Sequence, residues 1–482
     1  MSNAAVQSSA FLERLAAIVG RENLVCDASD LRVYECDAYT LEKHLPSVVA
    51  LPQSTHEVSE IVRACVQEGV PFIPRGAGTN LSGAILPVDG AVVISLARMN
   101  RVLNVDAANR RALVEAGCVN VWITQHAKVH GLLYAPDPSS QTACTIGGNV
   151  ATNSGGPHTL KYGVTTNHVL GFELVLPDGN VAWLGTEPDG GEDTGGLDVR
   201  GAVVGCEGMF GVVTRVLVNL VEAPQSWRTL LAVFESVDDA SQTVSDIIKA
   251  GIVPAALEMM DQLITQAVEA AYHFGFPLDA GAVLIIELDG LEAGLETAAL
   301  RVIELCKKNH AREVRRANTE SERAELWKCR KRAFGAIGRL SPSFITQDGV
   351  VPRSRLPEIM RFIQQTSQRF ALRIPNVFHA GDGNIHPLIL FDESDPAQVS
   401  KAIQAGNVIL EECLRLGGSV SGEHGIGVEK AEFMSRQFTP ETLQAMRNLR
   451  AVFDPLQQCN PHKMFPSAKH CMDFAPRRQI PA

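Results

Sequence analysis

The ten residues Pro74-Arg75-Gly76-Ala77-Gly78-Thr79-Asn80-Leu81-Ser82-Gly83 place three glycines among hydroxyl and amide side chains, directly after an apolar run typical of a strand. Glycines let consecutive backbone N–H groups converge on an anion, and such turns bind phosphate. The spacing Gly-x-Gly-x-x-x-x-Gly is not that of the nicotinamide dinucleotide fingerprint, and no acidic residue lies at the expected distance on a second strand. The loop is therefore either an ordinary turn or a pyrophosphate cradle of another fold.

Two further glycine-rich stretches favour the cradle. Residues 136–156 run from Pro-Asp-Pro-Ser-Ser to Asn-Ser-Gly-Gly, and residues 205–214 read Gly-Cys-Glu-Gly-Met-Phe-Gly-Val-Val-Thr before another strand. A long dinucleotide lying through a domain needs many close backbone approaches and few bulky side chains. Three such stretches in one domain would provide them.

Size and composition exclude several classes of protein. The 482 residues, 45% of them hydrophobic, are enough for at least two domains, since single cores stop growing at about 250–300 residues. A net charge of −11 argues against nucleic-acid binding and gives no attraction to anionic lipid. The eleven cysteines form no Cys-x-x-Cys pairs, which argues against an iron–sulphur ligand set and favours reduced thiols in the cytoplasm. The start of the sequence lacks the pattern of a signal peptide, and no apolar run reaches about 18 residues.

Hydrophobic periodicity predicts an α+β organisation with a change near residue 224. Before it, helices at 11–19 and 56–69 alternate with strands at 47–51, 71–74, 91–96 and 112–116. Beyond it we predict longer amphipathic helices at 238–250, 292–309, 319–338, 355–370, 397–416 and 440–452. Strands are predicted among them at 228–235, 282–288 and 345–351.

Two short motifs in the second half point to a metal. Residues 379–386 read His-Ala-Gly-Asp-Gly-Asn-Ile-His, and residues 421–425 read Ser-Gly-Glu-His-Gly. Imidazole and carboxylate are the usual ligands of zinc, manganese or iron, and a catalytic site uses three of them so that substrate can take the open positions. The glycines prevent a continuous helix, so a turn must bring the two imidazoles of the first motif together. The alternative is that each histidine is an ordinary loop or core residue.

Taken together, these motifs resemble the FAD-linked D-2-hydroxyacid dehydrogenases of the vanillyl-alcohol-oxidase-type flavin fold. The resemblance runs from about residue 45 to 466 and is greatest to the D subunits of bacterial glycolate oxidases. It implies an α+β fold in which a two-part FAD-binding domain is followed by a substrate or cap domain with an antiparallel sheet and helices. The expected division is an N-terminal helical segment (1–44), the FAD-binding domain (45–223), the substrate domain carrying the metal site (224–452) and a segment returning to the flavin (453–482).

The resemblance also implies how FAD is bound. The loop has Asn80 and Ser82 where some flavoproteins of this fold carry a histidine bonded to the flavin, so we expect non-covalent FAD. A cysteinyl bond at Cys144 is the alternative, and a buried small thiol is the role we favour there. The expected FAD contacts are Arg75, Gly76, Ala77, Gly78, Thr79, Asn80, Ser82, Gly83, Pro138, Ser139, Ser140, Thr145, Gly147, Gly148, Asn149, Thr152, Asn153, Gly155, Glu207, Gly208, Gly211, Val212 and Asn460.

The expected catalytic residues follow from the same motifs. His379, His386 and Glu423 are the predicted ligands of a divalent metal, zinc or manganese, that would take the oxygens of the substrate in its open positions. His424 is the predicted general base, since imidazole is near its working pKa. The resemblance places a carboxylate-binding arginine at Arg330, whose planar fork suits bidentate pairing. The alternative for Arg330 is a solvated charge on a helix face.

Differences within the family indicate the class of substrate. D-2-hydroxyglutarate dehydrogenases have an asparagine at the position of Leu388 and a lysine and tyrosine at Thr346-Gln347. Both differences remove groups for a second carboxylate and favour a small monocarboxylate, glycolate or D-lactate. A longer D-2-hydroxy acid, a non-redox transferase like the ether-lipid synthase of this fold, and a non-catalytic flavin-binding subunit stay open as alternatives.

Reduced flavin must hand its electrons on. We expect an iron–sulphur or flavin-binding partner subunit as acceptor, a cytoplasmic protein with at most peripheral association with the inner membrane through its partners, and no nucleic-acid partner. A homodimer is left open.

Overall fold

A computed structural model describes residues 9–190 and 196–466. The first eight residues of the predicted N-terminal segment and the last sixteen of the predicted C-terminal segment lie outside this description. Within the described residues, no helix is both long and apolar enough to cross a membrane.

The first half contains two larger sheets and one two-stranded sheet, joined by short helices. Its elements are α1 (Ser9–Val19), β1 (Leu24–Val25), α2 (Ala28–Leu31), β2 (Val48–Ala50), α3 (Thr55–Glu68), β3 (Phe72–Arg75), β4 (Val92–Ser95), β5 (Val102–Asp106), β6 (Arg111–Glu115), α4 (Asn120–Ala127), β7 (Leu132–Leu133), α5 (Ile146–Thr152), α6 (Thr159–Tyr162), β8 (Val169–Val175), β9 (Val181–Gly185), α7 (Val199–Val203), β10 (Val212–Asn219) and β11 (Val221–Glu222).

The first sheet has the order β1-β2-β4-β3, with β4 parallel to both β2 and β3. Helix α3 connects β2 to β3. Ser54 caps its start by accepting a hydrogen bond from the backbone of Glu57, and Gly69 ends it with a φ of +66°. The glycine loop that begins at Gly76 therefore leaves the end of a parallel strand whose position is fixed by its neighbour.

The second sheet is antiparallel and has the order β5-β6-β10-β8-β9. Helices α4 and α5 cover it, and Ile146 and Val150 of α5 pack with Phe172 and Val216 of the sheet in one core. The second glycine stretch thus lies between the two sheets. This two-sheet arrangement is the predicted two-part domain.

The second half is built on one large sheet. Its elements are β12 (Ser226–Phe234), α8 (Val237–Lys249), β13 (Ala256–Asp261), α9 (Gln262–Tyr272), β14 (Ala282–Gly290), α10 (Glu292–Lys308), β15 (Glu313–Arg316), α11 (Glu320–Lys331), α12 (Ala333–Ile337), β16 (Ser343–Thr346), β17 (Gly349–Val350), α13 (Leu356–Phe370), β18 (Val377–His379), β19 (Asn384–Ile385), β20 (Leu388–Phe391), α14 (Pro396–Arg415), α15 (Met434–Gln437) and α16 (Pro440–Phe453).

Seven antiparallel strands follow the order β15-β12-β14-β13-β18-β19-β17, and β16 pairs with β20 beside them. Because successive strand residues face opposite sides, Leu230 and Ala232 of β12 pack with α8, α10, α13 and α14, whereas Leu231 and Val233 pack with α9, α11 and α12. The sheet is therefore covered by helices on both faces, and α6 of the first half contacts its central strand β13.

Two predicted elements divide in the structure. The predicted strand 345–351 is β16 and β17, which belong to different sheets, because the chain turns at the buried Asp348. The predicted helix 319–338 is α11 and α12, separated at Arg332, whose φ of −93° and ψ of 0° interrupt the helix. The other predicted helices and strands lie within a few residues of the observed ones, whereas several observed elements were not predicted, among them α4, β8, β9, β13 and α9.

The chain returns to the first sheet after α16. Phe72 of β3 donates its backbone N–H to Gln458 O at 2.9 Å, and Asn460 N–H donates to Phe72 O at 2.8 Å. Lys463, fully buried, donates from Nζ to the carbonyl of Leu86 at 2.9 Å. The described part of the terminal segment is thus attached to the domain that carries the glycine loops.

Candidate active site

A cavity of about 360 Å³ lies between the two halves of the protein. All three glycine stretches form its wall, and at one end the wall continues into His386, Glu423 and His424. Most predicted FAD contacts line it, namely Arg75, Gly76, Ala77, Gly78, Thr79, Asn80, Pro138, Ser139, Ser140, Thr145, Gly147, Gly148, Asn149, Thr152, Glu207, Gly208 and Gly211.

The first glycine loop presents free backbone donors to this cavity. Within the part of the chain that the structure describes, the N–H groups of residues 77–81 donate no hydrogen bond to protein. Gly78 has a φ of +75°, a conformation that side-chain-bearing residues rarely adopt. At Gly148 a Cβ would meet only Thr145 Oγ1, at 3.4 Å, so the space above it is open. Unpaired donors and open space at glycines are what a bound pyrophosphate and its neighbouring groups require.

Six of the predicted FAD contacts do not line the cavity: Ser82, Gly83, Asn153, Gly155, Val212 and Asn460. Some of them hold the lining in place instead. Asn460 is buried and donates from Nδ2 to Ala84 O at 2.8 Å and to Glu207 O at 2.6 Å. A Cβ on Gly155 would lie 2.9 Å from Oε2 of Glu423, so this glycine allows the Glu423 carboxylate to approach.

Asn80 joins the glycine loop to the second motif. Its Oδ1 accepts from Ser82 N at 2.8 Å and from Ser82 Oγ at 2.7 Å, while its Nδ2 donates to the carbonyl oxygen of His424 at 2.7 Å. Glu207, in the third glycine stretch, accepts from the backbone of Ile426 at 2.6 Å and Gly427 at 2.8 Å. The loop carrying Glu423 and His424 is therefore tied to two walls of the cavity.

His379, His386 and Glu423 converge at the end of the cavity. His379 Nε2 lies 3.2 Å and His386 Nε2 lies 3.5 Å from the same oxygen, Glu423 Oε1. Among the described residues His386 Nε2 has no hydrogen-bond partner, although it is buried. Ligand atoms bound at about 2.0–2.2 Å to one metal ion lie roughly 3.0–3.5 Å apart. The three side chains therefore have the spacing of a metal-ligand set.

Strand pairing orients the first of these histidines. Glu258 and His379 are partners in the antiparallel pair of β13 and β18. Glu258 Oε1 accepts from His379 Nδ1 at 2.7 Å, and its Oε2 accepts from Arg330 Nε at 2.6 Å. All three side chains are buried. A carboxylate behind a histidine in this way is the usual support of a metal-binding imidazole.

Asp348 holds the loop of the second motif. Its Oδ2 accepts from Ser421 Oγ at 2.7 Å and from the backbone of Gly422 and His424 at 3.0 and 2.8 Å. Its Oδ1 lies 3.5 Å from His386 Nε2. Asp348, His386 and His424 form a second group whose ligand atoms could hold an ion, adjoining the first. The His386 and His424 rings stack with centroids 4.9 Å apart.

Burial and neighbouring charge set the protonation of this cluster. Burial lowers the pKa of His379, but the carboxylates of Glu258 and Glu423 outweigh it and raise the pKa well above its ordinary value. Burial raises the pKa of Glu423, yet the histidines around it bring that pKa down to about 2. Burial lowers the pKa of His424 to about 4, although Asp348 opposes the shift. A neutral His424 above that pH is able to accept a proton.

The structure distinguishes the three basic residues at the end of α11. Arg330 is only 1% exposed, it pairs with Glu258, and its Nη2 has no hydrogen-bond partner among the described residues. Lys331 is exposed and lines the cavity together with Phe334. Arg332 is exposed and lies over the ring of Tyr272. The predicted arginine is therefore buried beside the cluster and does not line the cavity, and its Nη2 is unpaired among the described residues.

Sequence reasoning missed three buried charged residues that support the cluster: Glu258, Asp348 and Lys430. Lys430 Nζ lies 3.5 Å from Asp348 Oδ2 and 3.3 Å from Gly425 O. A carboxylate inside the otherwise apolar strand Ala256–Asp261 was the signal available for Glu258, because such a group is rarely buried without a partner. Asp348 and Lys430 carried no comparable pattern.

Comparison with known proteins finds family matches for both halves of the chain. Residues 46–185 match a family model described as FAD binding domain, and residues 223–464 match one described as FAD linked oxidases, C-terminal domain. The glycolate oxidase subunit GlcD of Escherichia coli (strain K12) is 44% identical over 92% of this chain and 88% of its own. A D-lactate dehydrogenase of Anaerostipes hadrus is 29% identical over 94% of this chain and 96% of its own.

The solved structure of p-cresol methylhydroxylase with substrate bound has a TM-score of 0.80 and 17% identity, covering 94% of this chain and 95% of its own, and it shows the fold. The cavity, the two matching domains and this fold define an FAD-dependent oxidoreductase of the vanillyl-alcohol-oxidase type, which confirms the predicted fold class and FAD as a cofactor. The chain belongs to the FAD-linked oxidase family and, within it, to the group of the glycolate oxidase D subunits.

Proposed function

We propose that this protein oxidises a small 2-hydroxy monocarboxylate, glycolate or D-lactate, to the 2-oxo acid with the help of a divalent metal. The observation that supports it best is that one cavity joins the glycine-lined wall to His386, Glu423 and His424. A substrate held at that end would lie against both the flavin and the candidate metal ligands. In this proposal residues 45–223 bind FAD, and residues 224–452 supply the metal and substrate groups.

Each site residue has a role in the proposal. Bound FAD would accept the hydride from the substrate Cα, and a bound zinc or manganese ion would lower the pKa of the substrate hydroxyl. His379, His386 and Glu423 would hold that ion through two nitrogens and one oxygen. His424 would take the hydroxyl proton, so that one hydride and one proton leave the substrate in each turnover.

Arg330 would bind the substrate carboxylate through its unpaired Nη2 while its Nε stays bonded to Glu258. The apolar Phe334 in the cavity wall suits a substrate without a second carboxylate, whereas Leu388 is buried in the hydrophobic core and does not line the cavity. The relatives named as a glycolate oxidase subunit and a D-lactate dehydrogenase support both the substrate class and its small size.

The electrons would pass from the reduced flavin to a separate acceptor. The relative named as a subunit of glycolate oxidase supports a multi-subunit assembly, in which an iron–sulphur or flavin-binding subunit takes the electrons. We place the protein in the cytoplasm, reaching the inner membrane only through such partners.

An anaerobic panel of acids tests the proposal. The purified protein is mixed with glycolate, D-lactate, L-lactate and D-2-hydroxyglutarate, and bleaching of the oxidised flavin is followed by stopped flow. We expect rapid bleaching by glycolate or D-lactate and slow or no bleaching by D-2-hydroxyglutarate. Fastest bleaching by D-2-hydroxyglutarate would contradict the substrate class, and no bleaching by any acid would contradict the reaction.

A further inference from the structure

A second buried polar cluster lies between the two halves of the protein, away from His379 and His386. His158 follows the second glycine stretch, and its Nδ1 lies 2.9 Å from Asp137 Oδ2. Its other ring nitrogen, Nε2, faces Glu287 of β14 at 3.6 Å from Oε1. One imidazole thus lies between a carboxylate of the flavin-binding half and a carboxylate of the other half.

Glu287 connects this imidazole to helix α11. It is 1% exposed and accepts from Trp327 Nε1 at 2.6 Å and from Arg323 Nε and Nη2 at 2.8 and 2.7 Å. Trp327 also stacks on the His158 ring, with centroids 5.2 Å apart and planes at 30°. The cluster therefore contacts α11 both through the Glu287 carboxylate and through the face of the indole.

The cluster adjoins two parts of the cavity wall, one in each half of the protein. On one side Asp137 directly precedes Pro138 and the two serines that line the cavity. On the other side Trp327 lies one helical turn before Arg330 and Lys331 in α11. A shift of α11 relative to residues 137–140 would therefore change the distance between the flavin wall and the proposed carboxylate-binding end of the helix.

The backbone around Gly156 allows His158 to reach Asp137 and Glu287. Gly156 has a φ of +151°, and a Cβ there would lie 2.6 Å from the carbonyl oxygen of Asp137. A further attachment follows in α6, where Lys161 Nζ donates to Asp289 O at 2.6 Å and Tyr162 Oη donates to Asp289 Oδ2 at 2.7 Å. The segment from Gly156 to Tyr162 is thus fastened to the end of β14.

The charges around the ring favour an imidazolium. The ionised groups that face it are Asp137, Glu287 and Arg323, and the aromatic neighbours Trp327 and Tyr162 are neutral. Burial lowers the pKa of His158, but the two carboxylates outweigh it and raise the pKa to about 10. With both ring nitrogens protonated, one proton is directed to each carboxylate.

We propose that His158 is a positioning residue: as a cation it fastens the flavin-lining loop 137–140 to α11 and so sets where the substrate carboxylate lies relative to the flavin. The proposal rests on the proposed function, because it concerns the geometry of the same reaction. His158 itself does not line the cavity and acts through Asp137 and Trp327.

The test compares His158→Gln, Asp137→Asn and the double variant, with His126→Gln on the exposed surface of α4 as the matched control. FAD and metal contents are measured first. The limiting rate of anaerobic flavin reduction and the apparent Kd of the acid are then taken from the dependence on D-lactate or glycolate concentration.

We expect His158→Gln to retain FAD and metal and to lose roughly 10–10²-fold in the limiting rate, with a raised Kd, because small misplacements of reacting groups cost that much. The double variant should recover part of the loss, because it also removes the charge of Asp137, the carboxylate that His158→Gln leaves without its partner. His158→Lys, which keeps the positive charge, should also recover part of it. A rate and Kd equal to those of His126→Gln would overturn the proposal.

Tryptophan fluorescence gives a readout that does not depend on turnover. A cationic imidazole stacked on Trp327 quenches the indole, so His158→Gln should raise the emission, and the increase should vanish in a Trp327→Phe background. If the emission does not increase, His158 is not a cation stacked on Trp327, and the proposal is wrong. If the wild-type flavin is not reduced by any acid while the emission rises as expected, the proposed function fails and the contact itself stands.

Discussion

The carboxylate of Glu258 lies directly behind His379, with Oε1 2.7 Å from Nδ1. With a metal bound, such a carboxylate would keep the remaining proton on Nδ1 and leave the lone pair of Nε2 for the ion, on the side of Glu423 and His386. Because the two residues are register partners on β13 and β18, the pairing of strands, rather than a flexible loop, sets the direction of the imidazole. The Arg330 guanidinium on the other oxygen of Glu258 adds a link from this pair to helix α11.

Replacing Glu258 by glutamine should weaken metal binding. The amide keeps the shape of the side chain but removes the negative charge behind His379, and loss of such a supporting group typically lowers metal affinity 10–100-fold. We expect FAD content to be unchanged, as measured by flavin absorbance, and the metal Kd to rise by about that factor in titrations. Glu115→Gln, a buried carboxylate that pairs with Arg101 in the first half, is the control. Equal metal affinity in both variants would show that Glu258 does not support metal binding.

Much of the fold could be predicted from the sequence because its signals are local. The glycine stretches, the apolar strand before Arg75 and the amphipathic helices beyond residue 224 each carry a pattern that survives without tertiary context. The prediction of one strand over 345–351 is wrong because it, too, used only local signals. Apolar residues stand on both sides of Thr346-Gln347-Asp348. Only the buried contacts of the Asp348 carboxylate with Ser421 and His424 show that the chain turns there.

The site shows a similar limit. His379, His386 and Glu423 stand in short glycine-bounded motifs, so their convergence could be predicted. Glu258 reaches His379 across a sequence separation of 121 residues and is specified by the register of two strands, which no local pattern encodes.

FAD should be released on acid precipitation. Asn80, at the position of the linking histidine in related flavoproteins, uses both side-chain atoms in hydrogen bonds to Ser82 and to the carbonyl of His424. Cys144 lines the cavity, but burial raises the pKa of its thiol to about 11, so it is not a thiolate at neutral pH. The yellow chromophore should therefore appear in the supernatant. Flavin retained in the pellet of wild type but lost from that of Cys144→Ser would show a cysteinyl bond instead.

Arg330→Lys should raise KM strongly while FAD content stays at the wild-type level. Lysine cannot keep Glu258 on one nitrogen and present a second donor in the same plane to a carboxylate. Steady-state kinetics with D-lactate or glycolate measure the change, and Arg332→Lys, at the exposed end of the same helix, is the control. If both variants have the same KM, Arg330 does not bind the substrate carboxylate, and its role is limited to pairing with Glu258.

The stabilisation that His158 provides should depend on pH with a definite sign. Its pKa in the unfolded chain is about 6.5, and in the folded protein the carboxylates of Asp137 and Glu287, against the effect of burial, raise it to about 10. A raised pKa gives stability that is fully present below the unfolded value, declines between the two values and is lost above the folded one. The Tm difference between wild type and His158→Gln should thus be largest near pH 6 and disappear near pH 10. A difference that is constant with pH would mean that packing, not charge, is what the variant removes.

The roles of the four residues at the end of the cavity can be separated by metal content and flavin reduction. His379, His386 and Glu423 provide two nitrogens and one oxygen around one point, which leaves open positions for a substrate, whereas a fourth protein ligand would close the site as in structural zinc. His379→Ala, His386→Ala or Glu423→Ala should therefore abolish bound metal and substrate turnover together and leave the flavin spectrum intact, because the flavin is held by the glycine loops. His424→Ala should retain both metal and flavin and reduce the rate of anaerobic flavin reduction by roughly 10²–10⁴-fold, the usual contribution of a general base. The competing arrangement is Asp348, His386 and His424, whose ligand atoms also converge. If His424→Ala loses its metal while His379→Ala keeps a full complement, the ion belongs to that second group and the base must be found elsewhere.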